Sequence, residues 1–158
     1  MEPGASEENE RPDTLRIVNA EPAILPRVLL VDDEPTIRAA MRRFFSRLGW
    51  SVDEAPSGAV ALEKLLTAND AEPYRLVICD IRMPGINGID LHHRLAKVRP
   101  EILDRLIFST GDVVSEEVAE FIETTHCLVL QKPFEFSTLL ETVQLVNKRN
   151  DRTASGSG

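Results

Sequence analysis

Residues Leu76–Leu91 read LVICDIRMPGINGIDL, and this stretch decides the fold. It opens on the apolar run Leu76-Val77-Ile78-Cys79 and ends that run with one acid, Asp80. A loop bracketed by Gly85 and Gly88 follows, and then Leu91, Leu95 and Val98 recur at helical spacing until Pro100 stops them. A short, continuously apolar run suits a strand covered on both faces, and a helix directly after it suits the cover. The unit is strand, loop, helix.

Working outward, the same unit recurs on both sides. Val28-Leu29-Leu30-Val31 precedes a helical stripe of Ile37, Met41, Phe44, Phe45 and Leu48. Trp50-Ser51-Val52-Asp53 alternates, as a half-buried edge strand does, and Ala59, Leu62, Leu65 and Leu66 mark the next helix. Leu106-Ile107-Phe108 leads to Val118, Phe121 and Ile122, with Ser115 as the N-cap. Cys127-Leu128-Val129-Leu130 leads to Phe136, Leu139, Leu140, Val143 and Val146. Five βα units in a row predict an α/β fold, a doubly wound parallel sheet with helices on both faces.

Bulk properties narrow the function classes. At 158 residues the chain suits one domain. Its net charge of −8 argues against nucleic acid or an anionic membrane as the main partner. No apolar run approaches a membrane span and no signal-peptide layout opens the chain, so a cytoplasmic location is expected. Residues 1–26, rich in proline and acid, read as a flexible tail or linker, in which Leu15–Val18 could add a short strand or a turn of helix. The ordered domain is expected over 27–149, and 150–158, ending in Ser-Gly-Ser-Gly, as a flexible tail or expression remnant. Cys79 and Cys127 sit in apolar runs and are expected to be free. With three histidines, the chain offers no convincing zinc set. His92 and His93 are read as surface residues, because adjacent helical positions do not share a face.

The chemistry lies where polar residues interrupt the apolar runs. Asp32 and Asp33 follow the first strand and Asp80 ends the third. Ser109 and Thr110 end the fourth, and Lys132 follows the fifth. In a doubly wound sheet these carboxyl ends converge, so residues far apart in sequence meet at one edge. Each alone has an ordinary explanation: a helix cap for Asp32, a turn for Asp80, a loop hydroxyl for Thr110, a solvated charge for Lys132. Their joint placement on strand ends favours a site. Carboxylates about 4 Å apart repel by roughly 4 kcal/mol at an effective dielectric near 20, so a cation must join them or one must protonate. An oxygen-only donor set suits Mg²⁺, and Lys132 suits a phosphoryl oxygen or a carboxylate.

VLLVDDE over 28–34, LVICDIRMPGINGIDL over 76–91, IFSTGD ending at Asp112 and LQKPFE ending at Glu135 together resemble response-regulator receiver domains of two-component systems. The resemblance covers about residues 27–149. It implies a five-stranded flavodoxin-like sheet of order 2-1-3-4-5 with five helices, a fold for which the chemotaxis response regulator is the standard example. It implies that Asp80 accepts a phosphoryl group from a phosphohistidine of a histidine kinase or histidine phosphotransfer protein. Mg²⁺ would be held by Asp33 and Asp80 directly, by Asp32 through water and by the backbone carbonyl of Arg82. Thr110 would be the switch hydroxyl, Lys132 the phosphate-contacting lysine, and Lys132-Pro133 a cis bond. Such a domain promotes its own phosphorylation and dephosphorylation without turning over a separate substrate.

One departure stands out: Val129 occupies the place where many receivers carry Tyr or Phe. The wording of IFSTGD and LQKPFE resembles receivers attached to hybrid histidine kinases more than transcription-factor receivers. Arg82 and Asp112, each two residues past a site residue, are placed to pair across the pocket mouth. Two other classes compete, a receiver-like interaction module that is never phosphorylated and a Mg²⁺-dependent phosphohydrolase. The intact acids, Thr110 and Lys132 count against the first. Arg82, standing where such hydrolases usually carry a second acid, counts against the other.

Overall fold

A computed structural model describes residues 25–111 and 115–157, the side chains of 152–157 excepted. The first unit is β1 (Arg27–Val31) followed by α1 (Pro35–Arg47), and the second is β2 (Ser51–Ala55) with α2 (Gly58–Thr67). Next come β3 (Tyr74–Asp80) and α3 (Gly88–Val98), a 3-10 turn (Pro100–Arg105), and β4 (Leu106–Thr110) with α4 (Glu116–Thr125). β5 (Leu128–Gln131) and α5 (Phe136–Ser157) close the order. All ladders are parallel and the sheet order is β2-β1-β3-β4-β5, the predicted one.

Alternation along the strands divides the core. Val28, Leu30, Leu76, Ile78, Ile107 and Leu130 face one layer, where Met41 and Phe45 of α1 and Leu139, Val143 and Val146 of α5 cover them. Leu29, Val31, Val77, Cys79, Leu106 and Phe108 face the other, under α2, α3 and α4. Each fully buried Leu, Ile, Val or Phe contributes roughly 1.5–3 kcal/mol. The central strands are therefore held from both sides, and their ends are fixed to match. Cys79 and Cys127 are free.

Helix boundaries follow local chemistry. Pro35 starts α1 where its missing N–H costs nothing, and Gly49 at φ +87° ends it, the left-handed turn that glycine adopts without strain. Asn87 and Asp90 form a reciprocal capping box on α3, with the Asp90 N–H donating to Asn87 Oδ1 at 2.9 Å. Ser115 caps α4 as expected, accepting from the Val118 N–H.

β5 lies at the sheet edge, as the predicted order requires, with Leu128 and Val129 partly exposed. Two expectations need correction. The helix α5 does not stop near 149 but runs to Ser157. Arg75 of β3 holds that extension: its guanidinium donates to Asn147 Oδ1 at 3.1 Å and Asp151 Oδ1 at 3.2 Å, and the Asn150 amide returns to the Arg75 carbonyl. His92 is half-buried, with its ring against Phe108 and Phe121. Leu15–Val18 lies outside the described residues.

Candidate functional site

β1, β3, β4 and β5 end at one edge of the sheet, and the polar residues that stopped their apolar runs gather there. Asp80 closes β3, opposite Ser109 of β4, and Thr110 stands opposite Gln131 of β5. The backbone binds these ends together, with Ile81 N–H donating to the Ser109 carbonyl at 2.9 Å and Lys132 N–H to the Thr110 carbonyl at 2.8 Å. The Lys132-Pro133 bond is cis.

Lys132 is the electrostatic centre. Its Nζ donates to Asp32 Oδ2 at 3.0 Å and to Asp80 Oδ2 at 3.2 Å, and Glu34 Oε1 lies 3.8 Å away. Asp32 is fully buried, and Asp80 and Thr110 are nearly so. Asp32 also accepts from the Glu34 N–H at 2.9 Å, and Asp80 Oδ1 accepts from the Arg82 N–H at 3.3 Å. One ammonium thus serves three carboxylates. Burial pushes the Asp80 carboxyl above the usual carboxylate range and Asp32 adds to the push, against the pull of Lys132. Burial alone would lower the Lys132 ammonium, but its contacts with Asp32 and Asp80 outweigh it and hold the pKa above the usual lysine value.

The sequence-predicted residues are therefore brought together at Asp32, Asp80, Thr110 and Lys132. Asp33 is exposed on the loop beside them. Among the described residues, the carboxylates able to share a cation are Asp32, Glu34 and Asp80, with oxygens within 4.8 Å of one another. Glu34 was not singled out in the sequence, although it directly follows the acid pair. Arg82 is exposed at the mouth, and Asp112, its suggested partner, lies outside the described residues.

The loop after Asp80 is pinned by two glycines where side chains have no room. A Cβ on Gly88 would lie 2.9 Å from Ile81 Cα and 3.0 Å from the Asp80 carbonyl oxygen. One on Gly58, at the start of α2, would lie 2.9 Å from the Ile86 carbonyl carbon and nearer still to its oxygen. The loop and α2 therefore touch backbone to backbone.

The set fits a divalent cation. Its donors are all oxygens, two acids are buried, and one ammonium leaves the cluster net negative, the condition under which Mg²⁺ lowers the energy. A larger cleft of about 700 Å³ lies at the opposite end of the sheet, lined by Arg27, Trp50, Glu72, Arg75 and Arg105 among others. Its cations are engaged with Asp53, Asp151 and the Tyr74 carbonyl, and none of the strand-end residues reaches it. Size there does not mark chemistry. No described helix is long and apolar enough to cross a membrane.

Residues 28–144 match the family profile of the response regulator receiver domain. The response regulator receiver protein CpdR of Brucella abortus is 28% identical over 76% of this chain and 95% of its own length. Response regulator MprA of Mycobacterium leprae is 34% identical over 78% of this chain, which spans about half (51%) of that protein. Among solved structures, Vibrio cholerae chemotaxis protein CheY4 aligns at TM-score 0.66 and 27% identity, covering 77% of this chain and 98% of its own. Response regulator TrrA of Thermotoga maritima, solved in complex with Mg²⁺-BeF, aligns at 0.64 and 32% identity, covering 77% and 99%.

Proposed function

Since the chain belongs to the response regulator receiver domain family of two-component signalling, we propose that Asp80 accepts a phosphoryl group from a phosphohistidine and that the acyl phosphate resets the surface around α4. The observation that supports this most is the carboxylate of Asp80, set at a strand end with the Lys132 ammonium at 3.2 Å. An Asp80 carboxylate oxygen attacks phosphorus, the P–O bond forms as the P–N bond breaks, and the histidine nitrogen leaves with that electron pair and takes up a proton. Such transfer needs positioning and charge neutralisation more than covalent chemistry.

Mg²⁺ would be held among Asp80, Asp32 and Glu34, whose carboxylates lie together, with the neighbouring Asp33 and the Arg82 carbonyl as further oxygen donors. When bound, it neutralises charge on the phosphoryl oxygens. Lys132 keeps one Asp80 oxygen oriented and later contacts the phosphoryl group, while Thr110 donates its hydroxyl to the new oxygens. That bond draws the end of β4 inward and shifts the loop toward α4, biasing two arrangements of one surface. The donor is a histidine kinase or histidine phosphotransfer protein, and the work is cytoplasmic.

Incubation with acetyl phosphate and Mg²⁺, followed by intact mass, tests this. A phosphoryl adduct that disappears in Asp80→Asn supports the reading. No adduct would leave an interaction module, and rapid multi-turnover phosphate release would indicate a hydrolase.

A further inference from the structure

We propose that His92 makes the seating of α4 acid-sensitive: its neutral imidazole packs Phe121 down, and a second ring proton loosens it. The geometry is an aromatic cluster between α3, β4 and α4. The His92 ring stands edge-on to Phe121 with centroids 5.0 Å apart, and Phe121 in turn stands edge-on to Phe108 at 5.5 Å. Phe108 lies 6.2 Å from His92, and His93 lies 6.3 Å from both His92 and Phe121. Phe121 is the buried anchor of α4 together with Val118.

Within this cluster His92 Nδ1 is buried without a hydrogen-bond partner among the described residues. A neutral imidazole tolerates that place by carrying its proton on Nε2 and leaving Nδ1 as an unfilled acceptor. The imidazolium cannot, because Nδ1–H would be a buried, charged donor left without an acceptor. Among the described residues the surrounding groups offer no relief. From β4 the neighbour is Phe108, and that strand carries no charged residue. From α4 it is Phe121, while Glu116, Glu117, Glu120 and Glu123 of that helix are exposed. From α3 it is His93, itself a base. Burial first, and His93 second, pull the His92 proton affinity below that of an ordinary histidine.

The sign follows. A histidine whose folded pKa is depressed adds stability that is present above the ordinary value near 6.5 and is lost as pH falls through the lowered one. Here that stability is the contact of α4 with α3. Its relevance to output rests on the receiver reading, through position. Phe108 lies two residues before Thr110 on the same face of β4, so the cluster sits directly beneath the proposed switch hydroxyl. Val129, opposite Phe108 in the β4–β5 register, contributes only a small side chain there. The aromatic mass under α4 therefore comes from Phe121 and His92, and acidification would loosen the same helix that phosphorylation is proposed to move.

Histidine NMR titration of the unphosphorylated full chain, with hydrogen exchange at pH 7.5 and pH 5, tests this. His92 should titrate below free histidine. Protection of α4 amides, corrected for intrinsic exchange, should fall relative to α2 by up to about tenfold per unit of lowering of the His92 midpoint. His93→Ala should raise that midpoint, and His92→Phe should abolish the selective loss in α4. An ordinary or elevated His92 midpoint, as pairing with Glu117 or Glu120 would give, overturns the proposal. So does an acid-dependent loss that persists in His92→Phe. Acetyl phosphate labelling of the unaltered chain separates the two readings: an Asp80 adduct without the acid-dependent loss in α4 keeps the receiver and overturns the latch, and an acid-dependent loss with no adduct leaves the latch alone.

Discussion

Replacing Lys132 with Met keeps the length and most of the volume of the side chain and removes the one ammonium that contacts both buried acids. Its Nζ lies 3.0 Å from Asp32 and 3.2 Å from Asp80. At an effective dielectric near 20, each attraction amounts to about 5 kcal/mol before the cost of desolvating Lys132 is set against it. Breaking a buried pair from one side typically costs about 3–5 kcal/mol, because the remaining charge is left uncompensated. We expect Lys132→Met to lose about 3 kcal/mol in metal-free buffer at pH 7.5, or roughly 10 °C in Tm. Two further results must accompany the loss. It should shrink as pH falls, because the Asp80 carboxyl already resists ionisation and protonates to relieve the repulsion. It should also shrink when Asp32→Asn is added or millimolar Mg²⁺ is supplied. Urea denaturation across this set, in EDTA and in Mg²⁺, measures all of it. A Lys132→Met chain within about 0.5 kcal/mol of the parent in EDTA, or one that Asp32→Asn does not rescue, would show that the ammonium does not neutralise this cluster.

The far end of the sheet gives a pH prediction of its own. Burial raises the Asp53 carboxyl, but hydrogen bonds from Tyr74 and Arg27, each at 2.6 Å, outweigh it and leave the pKa lowered. Its stabilisation is therefore present above the ordinary carboxylate range and lost as pH falls through the lowered value. Burial and Asp53 together push the Tyr74 hydroxyl up to about 12, so its share is present below pH 10 and lost between about 10 and 12. Tyr74→Phe should be less stable than the parent near neutrality and converge with it at both extremes in urea melts. Asn87→Ala removes the α3 cap and should cost about 1 kcal/mol by the same assay. Arg75→Ala should release the last turns of α5, seen as a selective rise in hydrogen exchange over 147–157 with the sheet unchanged.

Most of the fold was legible because each strand is an apolar run and each run ends on a polar residue. Asp32, Asp80, Thr110 and Lys132 were legible for the same reason: they are the interruptions. What escaped depended on contacts between distant positions. The length of α5 turns on Arg75, 72 and 76 residues before Asn147 and Asp151. Glu34 carries no signal beyond adjacency to the acid pair, and its approach to Lys132 depends on how the chain turns into Pro35. His92 looked like a surface residue because the spacing rule says which positions share a face, whereas Phe121 folds over the helix edge and reaches both histidines.

The close approach of Gly58 to Ile86 sets a rule for anyone exchanging parts between such domains. The segment 81–87 carries the mouth of the pocket and is an obvious piece to transplant, yet its shape is built against a residue that lies outside it. A donor loop that carries its backbone as close to α2 as Ile86 does is compatible only with a host that keeps glycine at 58. A crossover between 58 and 81 can therefore separate partners that must be inherited together. Libraries of chimeras should show a linkage between those two positions that neither segment reveals when varied alone.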